Sequence, residues 1–109
     1  RLKTENLVEA NTATPGWPVT FTDLDTTPSL AMGNDFIASN TGATSITQFD
    51  NMQRGESYRI RFTNSNTTLV DGANLICPGS ANLTPGDTDI YTVYTPNGTT
   101  AYVSAGSNN

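Results

Sequence analysis

Ser57-Tyr58-Arg59-Ile60-Arg61-Phe62-Thr63 is the stretch that decides the fold class. Tyr58, Ile60 and Phe62 fall at every second position with Arg59 and Arg61 between them, and an extended strand is the conformation that sends alternate side chains to opposite faces. The same period of two recurs on both sides of it. Val19 and Phe21 alternate with Thr20 and Thr22 within Trp17–Leu24, and short strands are expected around Phe36, over Thr44–Phe49, Thr67–Val70 and Asn74–Cys77, from Thr88 to Thr95 and from Ala101 to Ser104. Within Thr44–Phe49 the apolar residues Ile46 and Phe49 are three apart, so that strand carries a bulge or is covered on both faces.

Turn residues separate these segments. Gly33-Asn34, Thr41-Gly42, Arg54-Gly55, Asp71-Gly72, Pro78-Gly79 and Pro85-Gly86 punctuate the chain, and Pro96-Asn97-Gly98 predicts a hairpin because Asn-Gly accepts positive φ. Strands at this spacing, with no amphipathic helix between them, predict an all-β fold: an antiparallel β-sandwich or jelly roll of eight to nine short strands. The 109 residues suffice for one domain. Residues 1–16, charged at first and then broken by Pro15-Gly16, read as a connector from an upstream body, and 17–109 as the β domain. A start at Arg1 without methionine fits a piece of a longer protein.

Composition narrows the function. Leu, Ile, Val and Phe together number 21, a lean core stock, while Thr, Asn and Ser number 19, 12 and 8. The net charge of −5 is modest, which argues against disorder. Five basic residues against ten acidic ones leave little to neutralise a phosphate backbone, so nucleic acid is not an expected partner. The absence of histidine removes His-based acid–base pairs and imidazole metal sites. A lone Cys77 removes an intrachain disulfide and every multi-Cys zinc site. No apolar run approaches the ~20 residues of a spanning helix, and no membrane insertion is expected.

Several residues invite chemistry. Asp23 with Asp25, and Asp87 with Asp89, are carboxylates two apart, but neither pair lies in a calcium-loop pattern or an evident cleft, so capping of turns is the expected role. No catalytic, metal or cofactor site is predicted. Cys77 reads as a small buried hydrophobe at a strand end. Arg59 and Arg61, with Arg54 just before them, gather three of the five basic groups within eight residues. The outward face of their strand is either ordinary solvated surface or, with Tyr58, Arg59, Ile60, Arg61 and Phe62, the candidate interface between copies, where guanidinium forks suit desolvated carboxylate pairs. Trp17, Tyr58, Tyr91, Tyr94 and Tyr102 are the aromatic stock, of which Trp17, Tyr91, Tyr94 and Tyr102 are the candidates for stacking on sugar rings; Trp17 reads first as a lid over the end of the sandwich. A lean core is itself a reason to expect oligomerisation, because assembly supplies burial that short strands lack.

Four segments carry a resemblance: Thr27–Phe36 (T-P-S-L-A-M-G-N-D-F), Asn40–Phe49 (N-T-G-A-T-S-I-T-Q-F), Arg54–Leu69 (R-G-E-S-Y-R-I-R-F-T-N-S-N-T-T-L) and Gly72–Cys77 (G-A-N-L-I-C). Over roughly Thr26 to Val103 this text resembles the small C-terminal β domain of bacteriophage tail spikes and tail appendages, which follows a long β-helical, often pectate-lyase-like, body. The resemblance implies a jelly-roll-like homotrimer at the tip of a virion tail fibre, assembled in the bacterial host, that sets the register of three chains and has no enzyme activity of its own. It leaves two further roles open: contact with host surface polysaccharide, and self-cleaving chaperone action. Relatives often close with a tryptophan-bearing strand after an Asp-Gly turn; here Pro96-Asn97-Gly98 precedes Ala101-Tyr102-Val103, and no cleavage motif is found.

Overall fold

The computed structural model describes residues 18–105. Among them are eight strands: β1 (Val19–Thr20), β2 (Asp35–Ala38), β3 (Thr44–Ile46), β4 (Ser57–Phe62), β5 (Thr67–Leu69), β6 (Leu75–Ile76), β7 (Ile90–Tyr94) and β8 (Ala101–Ala105). One 3-10 turn at Pro78–Ser80 is the only helical element among the described residues, so the domain is all-β. The Trp17 position and the 1–16 connector lie outside the described residues.

The alternation in β4 does what its sequence predicts. Tyr58, Ile60 and Phe62 are buried while Ser57, Arg59 and Arg61 are exposed. β4 occupies the middle of a six-stranded sheet ordered β1-β2-β4-β7-β8-β6, and its neighbours continue the same inner face. Phe36 lies opposite Ile60 and Ala38 opposite Phe62 on β2, Val93 lies opposite Tyr58 on β7, and Val103 lies opposite Val93 on β8. A second sheet of β3 and β5 stacks like on like: Thr44 beside Thr67 and Ile46 beside Leu69, all four buried. Both sheets contribute to one core, to which Phe21, Leu30, Phe49 and Met52 add from loops.

Pairing departs from the antiparallel expectation. Only β4–β7 and β7–β8 are antiparallel; β1–β2, β2–β4, β3–β5 and β6–β8 are parallel. The reason lies in the path of the chain. It runs along the large sheet in β2, crosses to the small sheet in β3, returns in β4 and crosses again in β5, so each strand meets its predecessor travelling the same way. Val19 lies opposite Phe36, Phe36 opposite Ile60 and Thr44 opposite Thr67, so successive turns of this coil take 17, 24 and 23 residues. Ser29 bridges Asp50 in the same parallel sense. Neighbouring turns also stack inside: the Phe21 and Phe36 ring centres are 5.2 Å apart with their planes at 22°, and those of Phe36 and Tyr58 are 6.3 Å apart. Such aromatic contacts add roughly 0.5–1.5 kcal/mol each beyond the area they bury.

The coil stops at its last turn. β7 pairs antiparallel on β4, and Leu83 pairs antiparallel on β5 through two backbone hydrogen bonds of 2.7 and 2.9 Å. The partner laid on the last turn of each sheet thus runs in the reverse direction; the β7–β8 hairpin forms across the expected Pro96-Asn97-Gly98 turn with Gly98 at φ 86°, and β6 pairs parallel on β8 at the far edge.

Asn40 joins the turns. Buried at 3% exposure, its Oδ1 accepts from Leu24 N–H at 2.7 Å and its Nδ2 donates to Thr67 Oγ1 at 2.7 Å. Its carbonyl accepts from the amides of Asn64 and Asn66. Truncating Asn40→Ala leaves a buried hydroxyl and a backbone N–H without partners, and should cost about 2–4 kcal/mol in urea unfolding. Thr88 is expected to respond in the other direction. Its φ of 69° places a β-branched residue in the left-handed region, at a cost of roughly 1–2 kcal/mol that Thr88→Gly relieves, less the chain entropy glycine adds. The net gain should be about 0.5–1 kcal/mol; a loss of stability would show that Thr88 is not strained.

Candidate functional site

The outer face of the six-stranded sheet collects four of the nine residues marked in the sequence, Arg59, Arg61, Tyr94 and Tyr102. Register arranges it in three rows across the strands. Thr20, Ile37, Arg61 and Ile90 form one; Asp35, Arg59, Thr92 and Ser104 form the next; Ser57, Tyr94, Tyr102 and Ile76 form the third.

The middle row is organised by charge. Arg59 donates from Nε to Asp35 Oδ1 at 2.9 Å and from Nη2 to Asp35 Oδ2 at 3.2 Å, a two-point fork between directly opposed residues of adjacent parallel strands. This hydrogen bonding, helped by the carboxylate's charge, holds Arg59 above its ordinary pKa. Arg61, two residues further along the same face, makes no ion pair among the described residues. Beside it Ile37 and Ile90 are only half-buried. Pro18, Asp35, Ile37, Arg59, Arg61 and Ile90 line a groove of about 280 Å³. The third row places Tyr94 and Tyr102 directly opposite each other in the β7–β8 ladder, at 44% and 47% exposure.

This geometry divides the candidate residues. Of the proposed interface strand, Tyr58, Ile60 and Phe62 are at 2%, 0% and 0% exposure inside the chain's own core. Alternation turns them inward, so only Arg59 and Arg61 of that set face outward. Of the aromatic set, Tyr91 is also turned inward, packed on the core with its ring edge to Phe62 at 5.9 Å. Tyr94 and Tyr102 remain as a pair, and Trp17 is outside the described residues. Ile37, Ile76 and Ile90 were not singled out by sequence reasoning. Their signal was available: each is the apolar residue on the nominally polar side of an alternating strand.

The paired aspartates work locally. Asp25 accepts from Thr27 N–H and Asp89 from Gly86 N–H, each closing its own turn. Asp23 instead ties two turns of the coil together, accepting from Thr41 N–H at 2.9 Å and Thr41 Oγ1 at 2.7 Å. The backbone bond first, and then the hydroxyl, hold its carboxyl below the usual range. No group of three or more acidic or thiol side chains suited to a metal ion occurs among the described residues. Cys77 is buried; its Sγ faces the Leu69 carbonyl at 3.6 Å, and burial together with the Asp71 charge raises its pKa.

No family model, curated protein or solved structure matches this chain.

The Cys77 environment yields a direct check. A raised pKa leaves less thiolate at neutral pH than a free cysteine has, and burial blocks approach. A disulfide reagent should label Cys77 slowly in the native state and at the free-thiol rate once urea unfolds the chain. Fast native labelling would contradict the buried placement.

Proposed function

We propose that this domain is a structural end-module: it terminates a parallel β-coil and joins copies of the chain into a homotrimer. The observation that carries the reading is the coil closed by reversal. Parallel turns of 17–24 residues stack from β1 to β4, and antiparallel pairing by β7 and Leu83 ends the stack, while the outer edge of β1 is unpaired among the described residues. A coil open at its first turn and reversed after its last is suited to follow a longer β-coil, because β7 laid antiparallel on β4 breaks the parallel repeat and the sheet runs out in the two-residue edge strand β6. This is the setting that the resemblance to tail-spike C-terminal domains implies, with the module at the tip of a virion appendage and any glycan-degrading chemistry in the upstream body. We read the two sheets as the layers of a small sandwich.

The outer sheet face supports the joining role. A sheet with one wet face alternates apolar-in and polar-out, whereas parallel ladders are found with both faces covered. Here Ile37, Ile76, Ile90, Tyr94 and Tyr102 interrupt the polar side. A second copy is the occupant in this reading, its carboxylates meeting Arg61 and its apolar residues filling the groove beside Ile37 and Ile90. The exposed Tyr94–Tyr102 pair favours a second reading, a platform for the rings of a host surface polysaccharide.

Light scattering over a dilution series separates these. The expected mass is that of three chains, and Ile37→Asp or Ile90→Asp, by burying a charge without a partner, should weaken assembly by more than a hundredfold, about 3 kcal/mol. A single-chain mass at every concentration overturns homotypic assembly. Loss of binding to bacterial surface polysaccharides in a Tyr94→Ala, Tyr102→Ala double variant of unchanged mass would establish the platform.

A further inference from the structure

Asn97-Gly98 at the tip of the β7–β8 hairpin is the one Asn-Gly step in the chain. Asn-Gly is chemically labile because glycine leaves the following amide nitrogen unhindered. That nitrogen can attack the asparagine Cγ: the Gly98 N–H gives up its proton, the Gly98 N–Cγ bond forms, the Cγ–Nδ2 bond breaks, and the side-chain NH2 takes up a proton in place of the one released and leaves as ammonia. The resulting cyclic imide is opened by water to aspartate or to isoaspartate, the second of which routes the main chain through Cβ.

The hairpin holds both reacting groups. Gly98 N–H donates to Thr95 Oγ1 at 2.8 Å. Asn97 Oδ1 accepts from Thr99 N–H at 2.9 Å and Thr100 N–H at 2.8 Å, which points the side-chain amide forward across the turn. Thr95 is itself fully buried and pinned on both sides of its peptide, with its carbonyl accepting from Gly55 N–H at 2.7 Å and its N–H donating to Glu56 O at 3.1 Å. Gly98, at φ 86°, sits against the Met52–Arg54 backbone, where a Cβ would lie 3.4 Å from the Met52 carbonyl oxygen.

We propose that Asn97 is a deamidation site and that the buried Thr95 hydroxyl guards it, by holding the Gly98 nitrogen in a hydrogen bond and away from Cγ. The modification is then a report on the hairpin that closes the coil. While β7 and β8 are seated, Asn97 persists. When the hairpin opens, Asn97 converts, and an isoaspartate in the turn lengthens the main chain between Thr95 and Ala101 and opposes reclosure. This inference does not depend on assembly or on sugar binding.

The test incubates the whole chain in mildly alkaline buffer and follows conversion of the Asn97 peptide by mass, with isoaspartate resolved by chromatography. The folded wild type should convert much more slowly than the same chain in urea, whatever the behaviour of any variant. Folded Thr95→Val, which keeps the shape and loses the hydroxyl, should convert roughly tenfold faster than wild type, the equivalent of about 1.4 kcal/mol. Thr95→Ser, which keeps a hydroxyl, should stay near the wild-type rate, and in urea all three chains should convert alike. Equal rates for folded and unfolded wild type would overturn the proposal, and this comparison decides even if Thr95→Val does not fold. A natively folded Thr95→Val that converts no faster than wild type would also overturn it.

Discussion

A single buried amide couples the two sheets. Asn40 follows β2 by two residues, where the chain leaves the large sheet for the small one, and Asn64 follows β4 by the same interval at the next crossing. The Asn64 amide donates to the Asn40 carbonyl, while the Asn40 side chain reaches back to the Leu24 N–H one turn earlier and forward to Thr67 at the start of β5. Asp23 bonds to Thr41 beside the same corner. Each crossing therefore rests on polar side chains stacked turn over turn. Buried polar groups are tolerated only when partnered, and here the partners come from neighbouring turns. The spacing of the turns is thereby fixed, and with it the register of β2 on β4 and of β3 on β5.

This arrangement accounts for a composition that looked thin for a core. Threonine and asparagine are abundant because the coil uses them inside as well as outside: Thr44, Thr67 and Thr95 are buried along with Asn40. Thr44 and Thr67 lie side by side in the small sheet, where a β-branched side chain fits the pleat and a hydroxyl finds a neighbour. The apolar residues are concentrated where the sheets face each other, so a small number of them suffices. Positive φ at Leu24 and Thr88, residues that rarely adopt it, accompanies tight backbone contacts: Leu24 N–H to Asn40 Oδ1 and Thr88 N–H to the Phe62 carbonyl, both at 2.7 Å. The local strain is offset by the bonds that impose it.

Strand positions were legible because they depend on a local signal. The period of two located β4, β2, β7 and β8, and the glycine-bearing turns bounded them. Pairing was not legible in the same way, since direction depends on where the chain goes between strands. Residues 39–56 could have returned as a hairpin; instead they travel through the small sheet, and β4 arrives parallel to β2. The spacing of Ile46 and Phe49 pointed at this without naming it. The strand ends at Ile46, and Phe49 is buried from the following loop, so neither a bulge nor a two-faced strand is needed. The candidate site was half legible for the same reason. Alternation divided Arg59 and Arg61 from Tyr58, Ile60 and Phe62, but the face that Ile37, Ile90, Tyr94 and Tyr102 share with the arginines exists only once four strands are placed in register.

The edges of the large sheet bear on how this face is used. β1 and β6, the outermost strands, are two residues long each. Short edges offer few free backbone groups, which works against sideways addition of flat strands from other molecules. Edge pairing at β1 is also directional, since a strand continuing the coil there must arrive parallel and bring an apolar residue over Val19. A chance partner seldom meets both conditions; a preceding turn of the same coil meets them by construction. In the proposed assembly, that restriction leaves the broad outer face for contacts between separate chains. Its rows mix isoleucine and tyrosine with a matched Arg59–Asp35 pair and an arginine that has no ion-pair partner among the described residues. Apolar contact there supplies attraction without direction, and Arg61 supplies direction, because a neighbour that covers it must bring a carboxylate or leave a charge desolvated. In the proposed assembly, stacking along the coil and docking across the face are separate interactions, one carried by backbone pairing and the other by side chains.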